Sequence, residues 1–205
     1  MIQKEIQEIN SKTQVIAVSK TFPLEVIIPL INHGHKDFGE NKIQEAAIKW
    51  TQIKKNLTDI NLHMIGKIQS NKVKFLFPLF NYIHSLDNLK LAEKISNEQK
   101  KHNKDIKIFI QVNIGDESQK SGISPNELVV FKDTCVNELN LNIVGLMCLP
   151  PKNKETSVYF KEMNQLLKTT NLKELSMGMS NDYLQAVTYN SSFVRIGSKI
   201  FGNRG

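Results

Sequence analysis

The chain has 205 residues, 40% of them apolar, and a formal charge of +7. That is ample for one hydrophobic core, and the absence of any run of about 18 or more apolar residues excludes a membrane-spanning helix. The polar, charged start Met1-Ile2-Gln3-Lys4-Glu5-Ile6 excludes an ordinary secretory signal, and two cysteines without a CxxC pair, Cys135 and Cys148, exclude a disulfide framework.

A reducing cytoplasm is therefore the expected compartment. The lysines are scattered (Lys4, Lys36, Lys54, Lys72, Lys104, Lys161) and lack interleaved aromatics. The positive charge reads as a solvated surface, not as a nucleic-acid or membrane-binding face.

Taken in order, residues 1–11 predict a short amphipathic helix with Ile2, Ile6 and Ile9 at helical spacing. Val15-Ile16-Ala17-Val18 predicts a short buried strand, followed by Ser19 and Lys20. Pro23 and Glu25 suit the first turn of a helix over 23–33 that stops near Gly34. Residues 37–41 offer a strand end and a turn. A clear helix follows with Ile43, Ala46, Ala47, Trp50 and Ile53 on one face, and 60–66 reads as a third strand.

A polar loop at 69–72 leads to a helical turn and a fourth strand at 80–84. Asp87 is placed to cap a helix carrying Leu89, Ala92 and Ile95. From Ile106 to Ile114 the pattern alternates: five aliphatics share one face, and Phe109, Gln111 and Asn113 share the other. Ser124-Pro125-Asn126-Glu127 reads as a capping box. Strand six spans 141–147, Tyr159, Met163, Leu166 and Leu167 mark a helix, and strand seven covers 174–177. A helix at 182–189 and strand eight at 193–196 complete the pattern.

Eight short strands alternating with helices predict an α/β fold with a parallel sheet in one domain, residues 1–205. The count of eight favours a (β/α)8 TIM-type barrel with an extra N-terminal helix over an open doubly wound sheet.

Two features carry chemistry. Lys20 falls where a buried strand empties into a strand-to-helix loop, the edge at which α/β proteins bind ligands. An amine partly withdrawn from water loses its proton more easily and attacks carbonyls to form a Schiff base, although an ordinary surface lysine also ends a strand. Ser176-Met177-Gly178-Met179-Ser180 and Val194-Arg195-Ile196-Gly197-Ser198 place glycine and serine at the last two strand ends, where a barrel binds phosphate. A Schiff-base lysine opposite a phosphate site describes pyridoxal 5'-phosphate (PLP).

Other candidates have plainer readings. His33 and His35 flank a glycine without a further ligand cluster, Cys148 and Trp50 read as core, and Asn71-Lys72 reads as a polar cap or a second phosphate element. His63 stands near a strand end, facing either a cofactor or a structural partner.

Val18-Ser19-Lys20-Thr21, Phe38-Gly39-Glu40-Asn41, His63 to Lys72, Gln111-Val112-Asn113, Lys120-Ser121-Gly122, Gly145-Leu146-Met147, Met177 to Asp182 and Val194-Arg195-Ile196-Gly197 occur in this order. Together, over about Val15 to Gly202, they resemble the PLP homeostasis proteins, the YggS/PROSC family, related to the barrel domain of alanine racemase. The resemblance implies a barrel carrying PLP as a Schiff base on Lys20. It implies further that Ser180, Gly197 and Ser198 hold the phosphate, that Arg195 faces the pyridine nitrogen and that Asn41 lies beside the cofactor.

Asn190 stands where such relatives usually have glycine, and asparagine tolerates the positive φ of that turn. The expected function is intracellular PLP and amino-acid homeostasis without robust turnover, by a monomer or weak dimer with PLP-dependent apoenzymes as candidate acceptors. The alternatives are a PLP-dependent amino-acid racemase or related enzyme, and a cofactor-free Schiff-base barrel acting on a sugar phosphate. Against racemisation stands the expectation that the chain, ending at Gly205, leaves no room for the β domain from which racemases supply a second acid–base tyrosine.

Overall fold

The computed structural model describes residues 2–117, 121–151 and 154–202, so Lys120 of the Lys120-Ser121-Gly122 motif lies outside the described residues. Eight strands run parallel: β1 Gln14–Val18, β2 Asp37–Glu40, β3 Asn61–Met64, β4 Tyr82–Leu86, β5 Lys107–Val112, β6 Ile143–Cys148, β7 Glu174–Met179 and β8 Phe193–Ile196. They pair in chain order, and β8 returns to β1 through Gln14↔Phe193 to Ala17↔Ile196, closing the barrel. The helices are α1 Ile2–Ile9, α2 Leu24–Asn32, α3 Ile43–Asn56, α4 Leu89–His102, α5 Leu128–Asp133, α6 Thr156–Thr170, α7 Tyr183–Thr188 and α8 Ser198–Phe201. A 3₁₀ turn, Ser70–Phe75, stands between β3 and β4.

The strands are buried on both faces, as a parallel barrel requires. The larger apolar cluster, with Ile108, Ile110, Val112, Leu146 and Leu175, packs the sheet against the helices. A smaller one, with Ile16, Tyr82, Phe109, Met147 and Phe193, fills the interior. The alternation of β5 thus sorts side chains between two buried layers. α1 is tied to α7 by Tyr183 Oη, which donates to Glu5 Oε2 at 2.5 Å.

Several expectations are corrected. Pro23 takes the cap position of α2 in extended conformation (ψ 165°), and α2 tolerates Pro29 in its interior. Asn88, not Asp87, caps α4, its side chain accepting from the Leu91 amide at 2.9 Å. Ser124 to Glu127 form a backbone turn (Glu127 N–H to Ser124 O, 3.0 Å), and α5 begins one residue beyond it with no side-chain cap. β7 runs two residues past the expected end, which brings Gly178 and Met179 into the strand.

Asparagine repeatedly takes the left-handed positions that glycine often holds. Asn103 and Asn171 close α4 and α6, and Asn190 has φ 60°, as the turn before β8 requires. No helix among the described residues is long and apolar enough to cross a membrane.

Candidate functional site

A cavity of about 1050 Å³ opens at the carboxyl ends of the strands. Lys20, Asn41, Ser180, Arg195, Gly197 and Ser198 all line it. The six residues come from four places in the chain and meet because parallel strands deliver all their loops to one end of the barrel.

Lys20 is half-buried, one residue past Ser19. The loop that carries it is clamped. Ser19 N–H donates to Gly39 O (3.0 Å) and Phe22 N–H to Ser19 O (3.2 Å). Thr21 has φ 66°, a left-handed conformation that a β-branched residue adopts only when its surroundings compel it. The compulsion comes from α3. Glu45 accepts the Thr21 amide at 2.5 Å, and Lys49 Nζ donates to Ser19 O at 2.9 Å and to Phe22 O at 3.4 Å.

Lys49 in turn pairs with the fully buried Glu40 at 2.7 Å. Glu40 Oε1 also accepts from Ser19 Oγ (2.8 Å) and from Trp50 Nε1–H (3.0 Å). Burial pushes the Glu45 carboxyl up, but the Lys49 and Thr21 hydrogen bonds outweigh it and hold the group below its ordinary value.

Asn41 follows β2 and is seated by Gly66. A Cβ on Gly66 would lie 2.3 Å from Asn41 O, so only glycine lets the loops after β2 and β3 approach this closely. Gly178 plays a different part from the one expected. With φ +92° and a hypothetical Cβ 2.5 Å from Ala186 Cβ, it brings α7 against β7, leaving Ser180 to reach the rim. At Gly197 the atoms nearest an added Cβ would be those of Val18, at 3.4 Å and beyond, ordinary contact distances that leave room beside the cavity.

Arg195 forms part of the cavity wall and is 5% exposed. Its Nη1 donates to Ser176 O and to Ser176 Oγ, each at 2.6 Å, and Nη2 donates to Cys148 O at 2.9 Å. All three acceptors are neutral. Of five guanidinium donors these bonds use three, which leaves donors for the cavity. Burial pulls the guanidinium below its ordinary value, and the Cys148 and Asp182 side chains oppose the shift.

The other sequence candidates lie elsewhere. His63 is fully buried inside the barrel and bonded to Asp37 and His84. Cys148 is buried, and burial pushes its thiol up to about 12, so it is an inert core residue. No group of His, Cys, Asp and Glu among the described residues could hold a metal, His33 and His35 included. Asn71 and Lys72 belong to the 3₁₀ turn, away from the cavity. Asp182, Lys154 and Thr156 also line the cavity. Asp182 Oδ1 accepts from the Met179 amide at 2.6 Å and shapes the turn at Ser180. The Asn181-Asp182 pair after strand seven was its sequence signal.

This chain matches the alanine racemase N-terminal domain over residues 2–205. The chain belongs to that family. Within it, several similar relatives carry one name. A pyridoxal phosphate homeostasis protein of Aquifex aeolicus is 36% identical over 93% of this chain and 87% of its own length. One of Pasteurella multocida is 33% identical over 99% of this chain and 93% of its own. PipY of Synechococcus elongatus, solved with PLP bound, superposes with a TM-score of 0.86 at 30% identity, covering 98% of this chain and 100% of its own. The closed barrel and its outer helices are those of the alanine racemase N-terminal domain family.

Proposed function

We propose that this protein binds pyridoxal 5'-phosphate in the cavity, carries it as a Schiff base on Lys20, and serves PLP homeostasis by holding the cofactor and handing it to apoenzymes. The observation that carries the reading is the convergence of Lys20, Asn41, Ser180, Arg195, Gly197 and Ser198 on one cavity. The donor set fits the molecule. The Lys20 amine suits the aldehyde, the condensation releasing one water, and the Ser180 and Ser198 hydroxyls with the open backbone at Gly197 suit a phosphate.

Arg195 suits the ring nitrogen: a guanidinium bonded only to neutral oxygens has donors to give and no proton to lose. PLP supplies an electron-withdrawing ring and an aldehyde. The family membership and the names of the relatives support this assignment, and the PLP-bound PipY structure is of a neighbour with the same barrel.

The same arginine argues for holding over turnover. A ring nitrogen facing a permanent cation stays unprotonated and is a weaker electron sink than one paired with a carboxylate. Two measurements test the reading. Borohydride reduction of the PLP-loaded protein and peptide mapping should put the pyridoxyl mass on Lys20; a label on another lysine, or no visible absorbance band on loading, overturns the assignment. Incubation with L-alanine in D₂O should give no sustained α-deuteration. Repeated turnover to the D-isomer, abolished by Lys20→Ala, would establish a racemase instead.

A further inference from the structure

Arg195 is a buried cation whose direct partners are all neutral, yet a line of hydrogen bonds leads from it through the barrel to a carboxylate. Ser176 Oγ, which accepts from Arg195 Nη1 at 2.6 Å, lies 2.9 Å from His84 Nδ1. His84 Nε2 lies 3.0 Å from His63 Nδ1, and His63 Nε2 lies 3.1 Å from Asp37 Oδ1. Asp37 opens β2 at the opposite end of the barrel from the cavity. The links come from β8, β7, β4, β3 and β2.

Chemistry fixes the proton on each link. The guanidinium only donates and the carboxylate only accepts. Ser176 receives from Arg195 and has its own hydrogen to give to His84 Nδ1. His84 then carries its proton on Nε2 and gives it to His63 Nδ1, and His63, protonated on Nε2, donates to Asp37. Reversing the order would turn a bare imidazole lone pair toward the Asp37 carboxylate. In the order described, every link turns its lone pair toward Arg195 and its hydrogen toward Asp37, so the dipoles align and reinforce one another.

The rings are held in place. His63 stacks on Tyr82 (centroids 4.3 Å, 8° between planes), His84 stacks on Phe109 (4.4 Å, 15°), and Phe193 stands edge-on to His84. Burial favours the neutral form of both imidazoles. Asn61 Nδ2 fixes the far end, donating to Asp37 Oδ1 at 3.1 Å.

We infer that Ser176, His84, His63 and Asp37 are positioning residues for Arg195: a proton-ordered chain that spans the barrel, orients the guanidinium toward the cavity and ends on Asp37 as its anion. What Arg195 faces there rests on the PLP reading, whereas the chain itself does not.

The first test is made on the ligand-free wild-type protein with ¹⁵N-labelled histidine. Multiple-bond ¹⁵N–¹H spectra should show His63 and His84 both neutral and both protonated on Nε2. A His63 imidazolium, or His84 protonated on Nδ1, overturns the inference. The second test uses Asp37→Asn, nearly the same shape and remote from the cavity. It should move the ¹⁵N signals of His84, which it does not touch, and weaken PLP binding roughly two- to thirtyfold in an absorbance titration. Asparagine that leaves both unchanged assigns the network to space-filling and overturns the inference. Wild-type protein with both expected tautomers but no PLP binding would overturn the proposed function while the proton order stood.

Discussion

Ser180 and Gly197 are expected to act on the ligand and not on the fold. Ser180 is a half-buried rim residue whose side chain makes no hydrogen bond among the described residues, so Ser180→Ala should weaken PLP retention by about 1–3 kcal/mol, the scale of a hydrogen bond to a charged group, with the melting temperature unchanged. Gly197 gives a sharper version of the same experiment. Its φ of −115° suits any residue, and an added Cβ makes ordinary contacts with Val18. Gly197→Ala should therefore keep stability within about 0.5 kcal/mol and still lower PLP affinity, because the methyl occupies the anion's approach. Wild-type affinity in both variants would move the phosphate elsewhere. Their place at the carboxyl ends of the last two strands, where the cavity opens, was readable from sequence, because glycine and serine past a strand advertise themselves. Ser176, on β7 four residues before Ser180, was grouped with the glycine- and serine-bearing stretch that ends at Ser180. Its hydroxyl instead turns inside the barrel to Arg195 and His84.

The pairing of β1 and β2 with α3 holds the Lys20 loop through a buried ion pair. Glu40 is fully buried and the Lys49 side chain is 9% exposed. Removing one partner of such a pair leaves an uncompensated charge and costs about 3–5 kcal/mol. Lys49→Met should show that loss in urea unfolding, and adding Glu40→Gln should recover most of it. In the double variant the strained Thr21 loop loses both Lys49 bonds and keeps, of its hold from α3, the Glu45 contact, so PLP should bind more weakly even where stability returns. A single variant as stable as the wild type would show that the pair holds nothing. The helix was legible from its periodicity and β1 from its apolar run, while residues 37–41 offered only a strand end and a turn. The clamp was not, since Glu40 and Lys49 lie on different elements, nine residues apart in sequence, and no spacing rule joins them.

The barrel as a whole carries a pH dependence set by its interior. His63 and His84 are both held below the ordinary histidine range, by burial first; Asp37 opposes the shift at His63, while any proton taken up by His63 and the charge of Arg195 add to it at His84. Between the depressed folded values and about 6.5, the unfolded chain binds more protons than the folded one, so stability rises with pH in that window. The contribution of these histidines is fully present above about pH 6.5 and is lost on acidification toward their folded values. Each adds a slope of up to about 1.4 kcal/mol per pH unit. Chemical denaturation from pH 7.5 to 5 should show stability falling below about 6.5, and His84→Gln should flatten that fall. A pH-independent midpoint would place at least one charged histidine inside the folded barrel.

Periodicity, turn residues and the order of eight strands specified the architecture, because each is a local rule: a strand buried on both faces is a run of β-branched residues, and a parallel strand needs a helical crossover before its neighbour. The cavity end was legible for the same reason, since a parallel barrel sends every strand-to-helix loop to one rim. What faces the barrel's inside was not. Two histidines, a serine and an aspartate on four strands read singly as structural polar residues or were passed over. Closure of β8 onto β1 folds the sheet around them and removes water, and each then has to satisfy its hydrogen bonds with the others. The line from Asp37 to Arg195 exists only once the barrel closes.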